Sequence, residues 1–453
     1  MAATKTLRRG AAARAGLALA AAALLGGCGL FGGGKDDAAG TPVLGKRVPI
    51  LAAEAGIETD PALTDAAVVL PPSYQNDSWT QPGGNAAKSM GHLSLGTALG
   101  QAWSVSIGQG SSNRARLAAA PVAANNRVFT IDTQATIRAF DLSTGRQVWE
   151  TSFPSELPGS DQSLFGGGVS VEGDRIYAVN GVGDVGAFEA ATGKPVWRVR
   201  PGGPMRGAPT IGGGNLYVVS QDNQIFALAM ADGATQWTQA ATLETAGVFG
   251  AAAPAIGQGT VVAGFSSGEL NAYRYENGRP VWQDALSRTS ISTAVAALSD
   301  IDADPVIAAG TVYAVGQGGR MVAMDIVSGQ RAWEINLAGT ATPWVAGDWL
   351  FVVTDDAKLV CLSRATGKAR WITSLQRWRN AKKRKGLTTW VGPVLAGNRL
   401  ILANNEGQLV NVDPLTGTVQ TSTETKTAID LPPIVVNGTL LVLDHDGRLT
   451  AWR

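Results

Sequence analysis

The sequence predicts an all-β protein: an eight-bladed β-propeller with four-stranded antiparallel blades, closed by pairing its N- and C-terminal strands. A repeat with constant internal spacing is the first observation. Pro121, Ala139 and Trp149 lie 18 and 28 residues apart, and the same offsets recur at Pro209, Ala227, Trp237, at Pro254, Ala272, Trp282, at Pro305, Ala323, Trp333 and at Pro343, Cys361, Trp371. Val169, Ala187, Trp197 keep the spacing with Val for Pro, and Pro393, Asn411, Thr421 keep it with two of the three side chains changed. The period is the second observation: about 40–50 residues is the range of propeller blades. The third is an unfinished eighth copy. It begins at Pro433, reaches Ala451 and stops at Arg453, while a spare Trp stands far upstream in Gln101-Ala102-Trp103-Ser104-Val105. A linear array has no use for that arrangement. A ring pairs the two ends and satisfies their open strand edges.

The elements follow in chain order. Residues 1–27 read as a secretory signal, with Lys5, Arg8, Arg9 and Arg14 ahead of an apolar run from Ala15 to Leu25. That run is too short to span a bilayer. It closes on Leu25-Gly26-Gly27-Cys28, which resembles a bacterial lipobox and implies lipidation of Cys28. Gly29 stands where retention in the inner membrane would call for Asp, so the same resemblance implies the outer membrane. With Cys28 lipidated, Cys361 has no partner for a disulfide. Residues 28–93, rich in Gly, Ala and Pro and without sustained periodicity, read as a flexible tether with a reach on the order of 40 Å. Two apolar runs in it, Arg47 to Leu51 and Ala67 to Leu70, are suited to docking on a surface.

Residues 94–453 read as the ring. In the first copy an inner strand begins at Pro121, where proline is tolerated at a strand start. Strands follow over Arg127 to Ile131, Thr136 to Phe140 and Gln147 to Thr151, the last two joined by Asp141-Leu142-Ser143-Thr144-Gly145. Glycine suits the positive φ of that turn, and Asp and Thr bond nearby amides. It recurs at Gly193, Gly233, Gly278, Gly329, Gly367 and Gly417, four residues before each Trp slot. One Trp per repeat in register predicts a ring packed between blades with its N–H on a local carbonyl. Cys361 occupies a small-residue slot and reads as a buried apolar side chain rather than a nucleophile.

Composition excludes one class of function. The net charge is +1, and without the four leader cations 33 basic side chains face 36 acidic ones, which is not the basic excess of a nucleic-acid binder.

The Ala-Phe-Asp141-Leu-Ser-Thr-Gly145-Arg-Gln-Val-Trp149 pattern resembles the tryptophan repeat of quinoprotein dehydrogenases and their non-enzymatic relatives. With a lipobox, a tether and eight blades, the chain resembles the BamB-type outer-membrane assembly lipoproteins among those relatives. The segment Ser299-Asp300-Ile301-Asp302-Ala303-Asp304-Pro305 adds to this, being similar to a Ser-Asp-Val-Asp segment that precedes a blade in that family. The resemblance implies a non-catalytic lipid-anchored scaffold on the periplasmic face of the outer membrane. It implies binding to the barrel-forming subunit of the β-barrel assembly machinery and to unfolded outer-membrane protein clients.

Two alternatives stand beside it, a quinone-dependent periplasmic dehydrogenase and a propeller binding another periplasmic ligand. A dehydrogenase of the resembling kind would carry a vicinal Cys pair, and a haem-linked one Cys-x-x-Cys-His; both are absent. His92 and His445 are the only histidines, so the sequence predicts no enzyme, no cofactor and no metal site. Asp300, Asp302 and Asp304 open like a calcium loop, but Pro305 and Thr311 stand where Gly and Glu are required.

Variation concentrates in the connections between repeats, which emerge on one face of a ring, and such loops on a rigid scaffold are where binding resides. The family resemblance implies that the loop Gln283 to Asp304 and the earlier loop Thr242 to Ala253 face the barrel-forming subunit. Asp300 and Asp302 are then expected to make polar contacts, and Val248 and Phe249 to pack. Relatives tend to carry a Leu-Arg pair at the latter site, so this chain lacks a positive charge there. The loop Gln376 to Trp390 holds Arg377, Arg379, Lys382, Lys383, Arg384 and Lys385, a basic patch suited to anionic phosphates or an acidic partner.

Overall fold

The computed structural model describes residues 56–157, 165–244, 250–286 and 300–453; the leader, Cys28, Val248 and Phe249 lie outside them. The described chain forms eight four-stranded antiparallel sheets and one two-stranded hairpin. In blade one the strands are Val122–Ala124, Arg127–Ile131, Thr136–Asp141 and Gln147–Ser152, in spatial order from the axis outward. Middle strands are covered on both faces by neighbouring blades, so they read as unbroken apolar runs; all five residues of Trp349–Val353 are buried.

The constant offset between small residue and Trp has a direct cause. The two stand opposite each other across the third and outer strands, as Ala139 with Trp149, Ala227 with Trp237 and Cys361 with Trp371. The indole extends from there to the next blade rather than to a carbonyl of its own. Trp149 Nε1 donates to Ala190 O, Trp237 to Tyr275 O, Trp333 to Arg364 O at 2.7 Å and Trp371 to Pro414 O at 3.1 Å. Each acceptor lies in the turn between third and outer strands of the following blade. The repeated glycine in that turn carries two requirements. Gly145 has φ 73°, and a Cβ on it would also lie 2.7 Å from the Trp103 ring.

Ring closure pairs Gln101–Ser106 with Arg448–Trp452, so Trp103 lies opposite Ala451 and donates to Leu142 O in blade one at 3.0 Å. Gly100 and Arg453 exchange backbone bonds, and the Arg453 guanidinium donates to Leu142 O and Ser143 O of the same turn. This closure explains the altered seventh copy. Blade eight takes its outer strand from the other end of the chain, so it has no turn between third and outer strands for a Trp of blade seven to reach. Thr421 stands there instead, bonded by Asn411 Nδ2 at 2.7 Å, and its strand Val419–Glu424 is exposed throughout. Trp452 fills the junction from the opposite side. It is the register equivalent of Phe140 and Phe188, which face the preceding blade, and it packs against the core containing Leu400 and Val410.

Residues 56–93 differ from the expected flexible tether. Thr59 bridges to Ala369, the Asp60 carboxylate meets Lys368 Nζ at 2.6 Å, and Arg370 Nε donates to Ala66 O. Val68, in the second apolar run, is buried. The chain then circles the axis, touching the inner strand of each blade in ring order. Asn76 bonds Val435 O in blade eight, Trp79 exchanges two backbone bonds with Ala123 in blade one, and Thr80 O accepts from Val171 N in blade two. Gln81 Oε1 accepts from Ile211 N in blade three, Ala86 O from Ile256 N in blade four and Ala87 O from Ile307 N in blade five. Gly91 O takes the Trp344 indole N–H of blade six, and Leu93 N donates to Leu395 O in blade seven. The contacts fall near the ends of the inner strands, just before the turn into the second strand. This axial strap therefore sits at the mouth opposite the long inter-blade loops. Backbone groups that would end a strand exposed or buried without partners are satisfied by it. Composition without periodicity hides such a segment, because its order comes from the ring and not from a repeat of its own.

Candidate partner-binding face

The loops joining one blade's outer strand to the next blade's inner strand share the face away from the strap. Arg206, in the loop between blades two and three, organises three of them. Its side chain is 1% exposed, and Nη2 donates to Asp300 Oδ1 at 2.8 Å and Asp302 Oδ1 at 3.0 Å. Nε donates to Gly250 O at 3.3 Å, so the loop between blades three and four is held by the same guanidinium. Glycine is required at 250, because a Cβ would meet Asp302 Oδ1 and Arg206 Nη2. A buried guanidinium needs counter-charge, and paired carboxylates supply it.

This placement corrects the expected role of Asp300 and Asp302. Asp300 is 1% exposed and turned inward, so it is not available as a surface contact. Asp302, at 7%, shares the same cation. Burial first, and then the neighbouring Asp300 carboxylate, push Asp302 up to about 7, against the pull of Arg206. Asp304 also turns inward: Oδ1 accepts from Ala253 N at 2.7 Å, and burial raises its pKa while the Lys88 charge opposes. Lys88 projects from the strap, is 2% exposed, donates to Thr210 Oγ1 at 3.1 Å and is lowered to about 8 by burial. The three alternating aspartates are thus internal struts. Val248 and Phe249 lie outside the described residues, next to the clamped Gly250.

The basic loop is more ordered than its composition suggests. Trp378–Asn380 and Lys385–Leu387 pair as a hairpin, closed at its base by Trp390 Nε1 on Gln376 O and Thr388 N on Arg377 O. Arg379 makes a two-pronged pair with Glu406 at 2.7 and 2.8 Å, and Arg377 lies over the Trp378 ring. Lys382, Lys383, Arg384 and Lys385 are exposed at the tip.

The residues with acid–base or nucleophilic potential are engaged elsewhere. His92 is buried in the strap, with Nδ1 at 2.8 Å from Pro71 O and Nε2 accepting from Asn398 N. Cys361 is fully buried opposite Trp371, and burial pushes its thiol strongly upward. His445 Nδ1 meets Asp430 Oδ2 at 2.6 Å on the surface.

A family model described as outer membrane protein assembly factor BamB matches residues 96–161 and 133–373, and one described as the β-propeller domain of glucose, ethanol and alcohol dehydrogenases matches 334–439. The curated BamB of Yersinia pestis is 26% identical over 355 residues, covering 77% of this chain and 88% of its own. The crystal structure of BamB from Moraxella catarrhalis is similar at TM-score 0.63 and 21% identity, covering 79% of this chain and 98% of that one. Quinohemoprotein alcohol dehydrogenase from Comamonas testosteroni is similar at TM-score 0.66 and 14% identity, covering 84% and 81%. At these identities the solved structures speak for the ring alone, a scaffold that carries several functions. The first family model runs from the strand that closes the ring into the outer strand of blade six, more than half of the sequence, and the chain belongs to the outer membrane protein assembly factor BamB family.

Proposed function

We propose that the chain is a non-catalytic scaffold in outer-membrane protein assembly, lipid-anchored through Cys28 on the periplasmic face and bound to the barrel-forming subunit of the assembly machinery. Family membership carries this reading. The Arg206 clamp supports its mechanical part: three inter-blade loops held by one buried cation form a preorganised face, which lowers the ordering cost of binding. In this reading Val248 and Phe249 pack against the partner, while Asp300 and Asp302 position the loops from below. Client outer-membrane chains are then received by the assembled complex.

A gentle-detergent pull-down of the natively expressed, lipidated chain from membranes tests the proposal. Co-recovery of a large outer-membrane barrel protein is expected, and Val248→Asp with Phe249→Asp should reduce it severalfold without lowering the melting temperature. Recovery of the chain alone would sink the proposal. Recovery unchanged in the double variant would remove that pair from the interface.

A further inference from the structure

We propose that the hairpin spanning Trp378–Leu387 is a membrane-contacting element that engages the phosphate headgroups of anionic phospholipid; this rests on the outer-membrane, lipid-anchored reading above. Between Gln376 and Trp390 there are six cations and no carboxylate, in a chain whose overall charge is close to neutral. Only Arg379 of these has an ion-pair partner within 4.0 Å among the described residues. The four cations at the tip are presented on a paired, hydrogen-bonded hairpin, its turn held by Lys383 N on Asn380 Oδ1 at 3.0 Å. A solvated loop needs no such support. Side chains that carry apolar bulk sit beside the charges: Trp378 and Leu387 face each other across the strands, and Leu387 is 47% exposed. Cations beside a half-buried tryptophan and an exposed leucine are the composition of interfacial anchors.

Position selects a bilayer over an acidic protein as the partner. The hairpin leaves one end of the blade-six outer strand, Ala369–Ser374. At the other end, about 20 Å away along the strand, Ala369 and Lys368 hold Thr59 and Asp60. The described chain therefore enters the ring on the same blade from which the hairpin projects. The loops that Arg206 clamps join blades two to five, and the hairpin, between blades six and seven, is not among them.

The test uses the full chain carrying Cys28→Ser, which removes the acyl anchor and leaves the hairpin as the attachment. Flotation is measured with vesicles of phosphatidylcholine alone and of phosphatidylcholine with phosphatidylglycerol at a molar ratio of about 3:1, at low and at about 0.5 M salt. Binding to the phosphatidylglycerol vesicles at low salt and its loss at high salt are expected. With roughly 1 kcal/mol for each cation near an anionic surface, Lys382→Gln, Lys383→Gln, Arg384→Gln and Lys385→Gln together should weaken partitioning on the order of 10³-fold. The melting temperature of this variant should match the parent, since the tip lies outside the ring core. Equal binding to both vesicles, or binding unaltered by the four substitutions, would overturn the inference. Loss of the barrel protein in the pull-down from the four-residue variant, with no vesicle binding by the parent, would reassign the hairpin to a protein partner. Intact vesicle binding with no barrel protein in the pull-down would instead discard the assembly reading alone.

Discussion

Gly278→Ala probes how one blade is locked to the next. Gly278 lies in the turn of blade four at φ 70°, and a Cβ there would sit 2.7 Å from the Trp237 ring of blade three. Two costs therefore add. A side chain in the left-handed region costs about 1–2 kcal/mol, and overpacking against the indole costs about 1–3 kcal/mol more. Trp237→Ala removes a ring that is 8% exposed, packs on Tyr217 and Tyr273 with centroids 5.7 and 5.9 Å away, and donates to Tyr275 O at 2.9 Å. A truncation of that kind costs about 3–5 kcal/mol. In the double variant there is no ring to collide with, so the overpacking cost vanishes. The double variant should be more stable than the sum of the singles by about 1–3 kcal/mol. Equilibrium denaturation of the four chains reads this difference directly. Gly438→Ala is the control: φ is 66° but nothing lies within 4 Å of the new Cβ, so only the backbone cost applies. Additivity of the Trp237 and Gly278 changes within about 0.5 kcal/mol would refute the reading that the glycine exists for the neighbouring indole.

The remaining predictions concern the axis and the clamp. Lys88→Met removes the bond to Thr210 Oγ1 and the charge facing Asp304, and should cost about 2 kcal/mol; hydrogen exchange should report faster opening of strap amides such as Leu93 than of the blade strands. Burial raises Asp302 to about 7, so between pH 4 and 6 the folded chain holds a proton there that the unfolded chain has released. Stability therefore falls as pH rises through that window. Asp302→Asn should flatten the melting temperature against pH, and a profile parallel to the parent's would refute the assignment.

Much of this architecture was legible from short-range pattern. The offsets from Pro121 to Ala139 to Trp149 translate into an inner strand, a small residue and the indole directly opposite it, because strand pairing turns constant sequence spacing into constant register. The truncated copy ending at Arg453 called for Trp103 by the same logic. What stayed hidden depends on contacts between residues far apart in the chain. Arg206 reads as a lone cation in a glycine-rich loop, and its pairing with Asp300 is visible only once two inter-blade loops are brought together. The aspartates consequently read as surface contacts when they are internal. Thr421 reads as decay of the repeat, whereas the missing turn in blade eight supplies its reason. The strap was invisible because hydrogen bonding to eight separate strands leaves no periodic trace in sequence.

That strap also bears on how the protein can change over generations. Arrays of repeats readily gain or lose a unit by duplication or deletion within the gene, and an unsupported ring would meet such an event with a modest adjustment of curvature. Here the path from Asn76 to Leu93 completes one circuit with its contacts matched blade by blade. A ring of seven or nine blades would have a different inner circumference and would leave the segment out of step with the strands it serves. The strap is in effect a gauge of blade number, so insertions are tolerated in the inter-blade loops while the count of blades is held at eight.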